Sequence, residues 1–261
     1  MFPLKDNIPT ERTPYVTISL IVLNVLVYFL WQRGGIAFSE PSSQHYLEHL
    51  IDYGAFPYEI THPGDHCAIV QTMAGLVLGC DPVAFDDQAP TIITPFTSMF
   101  MHGGLLHLGG NMLFLWIFGN NVEDAMGHAK FIVFYLLGGL AAMALQVAID
   151  PDAVVPTIGA SGAVAAVLGG YILLHPRARI ITVIFIIFFF TILELPAFVI
   201  LGFWFLQQIA FGALDLADPT GQGGGVAYFA HIGGFLFGLL AIKLFASRDK
   251  DYSPPPRYPV Y

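Results

Sequence analysis

Charge is what this chain has least of. Of 261 residues only 10 are Lys or Arg and 19 are Asp or Glu, together 11%, whereas soluble domains average about 25%. A chain that is 56% hydrophobic, with a mean hydropathy of +0.67, cannot cover itself with hydrated groups. That excludes an ordinary water-exposed domain and indicates an integral membrane protein. With only two cysteines, a disulfide-dense scaffold and a four-cysteine zinc site are excluded as well. Lys and Arg are missing altogether from Gly34 to Pro95, and the net charge is −9, so nothing supports a nucleic-acid partner. There is no HExxH string for a zinc protease, and no repeat in corresponding halves of the kind a transporter shows.

What the chain does have is a series of uncharged apolar runs, each near the ~20 residues that cross ~30 Å of hydrocarbon. Tyr15 to Trp31, Phe96 to Phe118, Phe131 to Ile149, Ile158 to Leu174, Pro196 to Leu214 and Val226 to Phe245 predict six transmembrane helices. The first is not a cleavable signal, because its exit, "QRGGIAFSEP", offers no convincing small-residue cleavage site. Threading six spans puts Lys5, Arg12, Lys130, Arg177, Arg179, Lys243, Arg248, Lys250 and Arg257 on one face and only Arg33 on the other. Basic residues are retained on the cytoplasmic side. The expectation is therefore a multi-pass protein of the cell membrane with both termini cytoplasmic: tails at 1–14 and 247–261, a membrane domain at 15–246, and a long outer loop at 34–95. The apolar run Ile181 to Leu193 ends at "ELP" (Glu194 to Pro196), a helix breaker, and is read as an interfacial or re-entrant segment on the cytoplasmic side. His128 and His175 are read as solvated residues at span ends, and Glu194 as interfacial.

The second, fourth and sixth spans run from outside to inside, and each carries its unusual polar residues in its first half. His107 and Asn111 are four apart and share a helix face, while His102, five residues before His107, points elsewhere and lies nearer the surface. In "PTIGASGAV", Pro156, Gly159 and Gly162 let the chain turn into a helix whose N-terminal N–H groups, that of Ser161 among them, suit an oxyanion. In "AHIGGFLFG", His231, Gly234 and Gly238 share a face on which another helix can come close, and the fourth span has a matching face of Gly162, Ala166 and Gly170. Packing these faces together would bring His231 to Ser161. The result is a serine with a histidine base, and oxyanion donors from the Ser161 N–H, His107 and Asn111. A lone serine in a membrane helix usually packs against its own backbone. An intramembrane histidine, in contrast, is by default a functional group.

The strings "HGGLLHLGGN", "GASG" and "AHIGG", in that order on the second, fourth and sixth spans, resemble the rhomboid intramembrane serine proteases over roughly Tyr15 to Phe245. "YGAFP" in the outer loop and "GNNVED" after the second span are similar to bacterial members. The resemblance implies an all-α bundle of six transmembrane helices with a long outer loop after the first. It implies Ser161 as nucleophile and His231 as general base, with no acidic third member. His107 and Asn111 would hold the oxyanion, His102 would steady the outer segment, and Gly159, Gly162, Gly234 and Gly238 would support the packing. Trp204 would line a lateral gate. Substrates would be single-pass or multi-pass membrane proteins cut near the outer face of the bilayer, with no metal and no organic cofactor. The alternative is a catalytically inactive rhomboid-like protein that binds transmembrane segments. Two departures stand out. Gly34 to Pro95 lacks the Trp-Arg pair of well-studied members, and Ala165 occupies the place where some members put a tyrosine beneath the histidine ring.

The connection "PTGQGGG", Pro219 to Gly225, is expected to be a mobile cap over a wet cavity. Cys67 and Cys80 both fall in the outer loop, where an oxidising exterior favours a disulfide; with His62 and His66 they could instead bind zinc. The charge asymmetry makes a direct prediction. Cysteines introduced at Lys130, Arg177 and Lys250 should react with an impermeant thiol reagent from one side of sealed vesicles, and one at Asp86 from the other. Labelling of Lys250 and Asp86 positions from the same side would overturn the six-span threading.

Overall fold

The computed structural model describes residues 2–36, 38, 41–72, 75–81, 88–186, 189–217 and 226–247. The Pro219 to Gly225 connection, Asp86 and the tail beyond Ser247 lie outside the described residues. In chain order come strand β1 (Phe2–Asp6), helix α1 (Tyr15–Leu26) with a π-helical turn (Val27–Trp31), and helices α2 (Gln44–Tyr53) and α3 (Pro57–Thr61). Strands β2 (His66–Thr72) and β3 (Gly75–Asp81) follow, then α4 (Thr94–Thr97), α5 (Leu105–Phe114), a second π turn (Leu115–Gly119) and α6 (Asn120–Met126). The remainder is α7 (His128–Ile149), α8 (Ser161–Leu174), strands β4 (Arg179–Ile186) and β5 (Phe189–Pro196), α9 (Ala197–Leu216) and α10 (Tyr228–Phe245). The protein is mostly helical. By length and composition α7, α9 and α10 can each cross a membrane, and Tyr15–Trp31 and α8 are shorter apolar helices.

Helix α8 is the centre. Every residue from Gly162 to Tyr171 is buried, with α10 on one side and α7 on another. Glycine makes this possible. A Cβ on Gly234 would lie 2.0 Å from the Gly162 carbonyl oxygen, one on Gly238 2.0 Å from that of Ala166, and one on Gly169 2.1 Å from that of Phe235. Two backbones therefore touch along α8 and α10 where any side chain would separate them, the small-residue packing that stands in for a hydrophobic driving force in lipid. Aromatic side chains fill the rest of the core: Phe118, Phe131, Phe134, Tyr135 and Tyr171 are fully buried.

The fold is not all-α. The run read as an interfacial or re-entrant segment is a β-hairpin, and β1, expected to be part of a cytoplasmic tail, pairs antiparallel with β4 to make a three-stranded sheet of order β1-β4-β5. The chemistry is in the residues, since "RIITVIFI" and "FFTILELP" are rich in β-branched and aromatic side chains that fit a pleated surface. Its outer positions are apolar too, with Phe185, Phe189 and Phe190 exposed. A second hairpin pairs β2 with β3, and Cys67 stands directly opposite Cys80 in its register, the two joined by a disulfide. The segment that carries α2 and α3 is stitched to the loop before α8: Thr157 N–H donates to Ala55 O (2.8 Å) and Tyr58 N–H to Ala153 O (3.2 Å).

At the opposite end, buried polar groups lock the chain together. The Glu123 carboxylate accepts from the N–H groups of Val16 (2.9 Å) and Thr17 (2.7 Å) and from the Thr17 hydroxyl, capping α1 from α6, and it also meets His128. His175 is buried against Tyr171 rather than solvated, because the chain turns there into the sheet and covers it. Glu194 pairs with Arg179 at the surface (3.4 Å). Asp6 on β1 accepts from Asn121 Nδ2 and the Tyr171 hydroxyl, both at 2.6 Å.

Burial pushes the Asp6 carboxyl up to about 6, with the Tyr171 hydrogen bond acting weakly in the other direction. The folded state thus binds this proton more tightly than the unfolded chain, whose carboxyl titrates near 3.8. The stability that Asp6 contributes is present in full below about pH 4 and is lost as pH rises through 6, a difference of about 3 kcal/mol. Asp6→Asn keeps an acceptor for Asn121 and Tyr171 but cannot ionise. Thermal unfolding of detergent-solubilised protein should show the variant gaining on wild type as pH rises from 4 to 7. Parallel pH profiles for the two proteins would contradict this assignment.

Candidate active site

The break before α5 places the first group. Gly104 has φ of 151°, and α5 begins at Leu105, so His102 lies in an extended connection rather than one turn up the same helix. His102 is fully buried, and its backbone is what the outer segment grips. Its N–H donates to Gln32 Oε1 (2.9 Å), while its carbonyl accepts from Gln32 Nε2 (3.4 Å) and from the Tyr46 hydroxyl (3.3 Å). Gln32 leaves the π turn at the end of the first helix and Tyr46 lies on α2, so the His102 backbone ties these two elements to the chain before α5.

His107 and Asn111, one turn apart on α5, converge on the strand of chain entering α8. The Gly103 N–H donates to His107 Nδ1 (3.2 Å). A backbone N–H can only donate, so Nδ1 carries the lone pair and the neutral ring bears its proton on Nε2. That Nε2 faces Gly159: a Cβ there would sit 2.6 Å from it and 3.6 Å from Asn111 Nδ2. Gly159 has φ of 118°, a conformation closed to side chains, and its N–H is tied to Ser98 O (2.9 Å). Asn111 is buried, and its Nδ2 has no hydrogen-bond partner among the described residues. Two donors therefore point at one small space, two residues from Ser161.

Ser161 is the first residue of α8, so its N–H belongs to the unpaired first turn. It is partly exposed and borders a cleft with Ser98, Ala142, Thr157, Gly159 and Ala230. Ala230 precedes His231, and its N–H is held by Gln146 Oε1 of α7 (3.1 Å). A Cβ on Gly162 would come within 3.8 Å of the Ala230 carbonyl oxygen. The start of α8 and the turn of α10 that carries His231 are thus neighbours. On its other side His231 Nδ1 meets Gln208 Oε1 of α9 (2.8 Å), and the Trp204 ring lies 5.7 Å from the imidazole. Gln32, Tyr46, Gln146 and Gln208 were not singled out by sequence. Gln208 had a signal, a polar side chain inside an otherwise apolar helix, but one that does not name its partner.

A sequence-family model described as "Rhomboid domain" matches residues 90–248. Among curated proteins, the chain is 32% identical over 160 residues to "Rhomboid protein 1, mitochondrial" of Saccharomyces cerevisiae, covering 59% of this chain and 42% of that protein. It is 29% identical over 147 residues to "Presenilin-associated rhomboid-like protein, mitochondrial" of Homo sapiens, covering 54% and 35%. "RHOMBOID-like protein 6, mitochondrial" of Arabidopsis thaliana is 31% identical over 150 residues, covering 55% and 40%. The chain thus spans well under half the length of these relatives. All three are mitochondrial by name, and this overturns the cell-membrane location with cytoplasmic termini. The positive-inside pattern orients a chain relative to the side it is held on, and it does not identify the membrane.

The geometry makes its own prediction. Gly234→Ala drives a methyl into the Gly162 carbonyl, wedging α8 from α10, at a cost of about 1–3 kcal/mol of overpacking. The thermal unfolding temperature of the detergent-solubilised protein should fall with it. Gly202→Ala on α9, where a Cβ meets open space, is the control that should leave thermal unfolding unchanged. Equal behaviour of the two variants would contradict the close contact.

Proposed function

The chain belongs to the rhomboid family, and from that premise we propose that it is an intramembrane serine endopeptidase working with a Ser161-His231 dyad. We read the six apolar helical segments as six crossings: the first helix with its π turn, α5 running on into α6, then α7, α8, α9 and α10. The membrane would be a mitochondrial one, the compartment printed in the relatives' names.

In this reading Ser161 Oγ attacks the carbonyl of a peptide bond while the His231 imidazole takes its proton, later handing it to the leaving amine. The negative oxygen of the tetrahedral intermediate meets the Ser161 N–H, the His107 Nε2–H and the Asn111 amide. Water then completes the hydrolysis by the same route in reverse. The observation that carries the reading is the pair of donors aimed at one point. The Gly103 contact leaves the proton of His107 on Nε2, beside Gly159, and Asn111 Nδ2 is buried there without a partner among the described residues. A buried unpaired donor costs about 1–3 kcal/mol, which is reasonable for a group whose partner exists only in the transition state.

The substrate class follows from the setting. A peptide bond inside a helix hides its carbonyl, so the segment cut must unwind locally. This favours transmembrane segments with small or helix-breaking residues at the end that reaches the Ser161 side.

Reconstituted into liposomes with a fluorogenic transmembrane substrate, the wild type should cleave. Ser161→Ala and His231→Ala should each abolish cleavage, and the double variant should lose no more. Asn111→Ala should retain residual activity, down roughly 10²- to 10³-fold, since two other donors remain. Undiminished cleavage by Ser161→Ala would refute the proposal. A wild type that binds the segment without cutting it would instead establish the inactive binding protein.

A further inference from the structure

We propose that Gln208 is a positioning residue for His231, setting which ring nitrogen carries the proton and so which is free to act as the base. The inference rests on the serine-protease reading and adds to it a third member, supplied by α9.

The amide of Gln208 has only one orientation that satisfies both of its contacts. Its Nε2 donates to the carbonyl of Trp204, one turn back on the same helix (3.4 Å), so its Oε1 is the atom 2.8 Å from His231 Nδ1. A carbonyl oxygen can only accept, and therefore Nδ1 must carry the hydrogen. The neutral ring then has its lone pair on Nε2, the nitrogen opposite Gln208. The two histidines of the site are thus held in opposite tautomers by neutral partners. His107 receives a backbone N–H and keeps its proton on Nε2, as a donor; His231 gives Nδ1–H to an amide oxygen and keeps Nε2 as an acceptor.

The surroundings of Gln208 argue that its polarity serves this contact. The side chain is 7% exposed, one turn before Gly212, in a seam between α9 and α10 otherwise made of rings. Phe205 stacks on Phe235 at 4.3 Å, Phe211 meets Tyr228 at 5.7 Å, and a Cβ on Gly212 would lie 3.2 Å from Phe229. An amide in such a seam costs free energy unless both of its ends are bonded. Trp204, 5.7 Å away and tilted by 37°, borders the imidazole ring to ring, and among the described residues the hydrogen bond found on that ring is the one to Gln208. Orientation by hydrogen bond therefore falls to Gln208.

The test is the tautomer itself, read by 15N NMR on the full chain, labelled at histidine and reconstituted in lipid, with His231 assigned by subtraction of a His231→Gln spectrum. Wild type should show a proton on Nδ1 and a bare Nε2. Gln208→Met, of the same length but with no acceptor, should shift His231 toward the Nε2–H form. It should also lower kcat by about 10- to 100-fold with KM unmoved, as loss of an orienting partner does. A role in packing alone would lower thermal stability and leave the tautomer where it was. Nε2–H on wild-type His231, or wild-type kcat in Gln208→Met, would overturn the proposal. The spectrum is informative even for a chain that cuts nothing. Nδ1–H in an inactive wild type would overturn the protease reading and support the Gln208 contact, whereas Nε2–H in an active one would do the reverse.

Discussion

Everything around Ser161 depends on two helix backbones touching. Lipid gives α8 and α10 no hydrophobic reason to associate, since hydrocarbon is as good a neighbour as another apolar helix. What holds them is dispersion over a surface made flat by glycine, with Gly234 and Gly238 seated on the carbonyls of Gly162 and Ala166. The same device brings in α7: a Cβ on Gly138 would lie 2.4 Å from Ala166 Cβ, and one on Gly162 2.5 Å from Ala142 Cβ. Three backbones are thereby held in one register. The register places Ser161 beside the turn that carries His231, and no side-chain bond between the two is needed to do so.

Around that contact the hydrogen-bonding partners are neutral groups. His107 is held by a backbone N–H, His231 by an amide, the first turn of α10 by Gln146, and the His102 backbone by Gln32 and Tyr46. Neutral partners suit a low-dielectric setting, where an unpaired charge is far costlier than a dipole. At the other end buried carboxylates do the joining, where Glu123 caps α1 and Asp6 ties β1 to α6 and α8 through Asn121 and Tyr171. One end of the helix bundle is thus held by buried carboxylates, and the other gathers His107, Asn111 and His231 among neutral partners.

Much of this could be read in the residue order. Length, hydropathy and the absence of charge identified a helical membrane protein, and three short motifs in order named the family. The spacing of His107 and Asn111 put both on one face, and the glycines of the sixth run pointed to close packing with the fourth. These succeed because helical period and side-chain volume are local properties. The same reasoning failed where pairing is non-local. The apolar run after α8 has no period to mark it as a hairpin, since both its faces are apolar. Its third strand comes from residues 2–6, more than 170 positions away.

The division is clear at the site. By itself the sequence determined which groups are available: a serine at the start of a glycine-flanked helix, histidines too costly to bury idly, and an asparagine one turn from one of them. Only the tertiary structure decided how each is used. A histidine can donate or accept from either nitrogen, and its choice is made by the atom placed opposite. For His107 that atom comes from Gly103, four residues away and nearly legible. For His231 it comes from Gln208, on a different helix, and the helix packing alone brings it there.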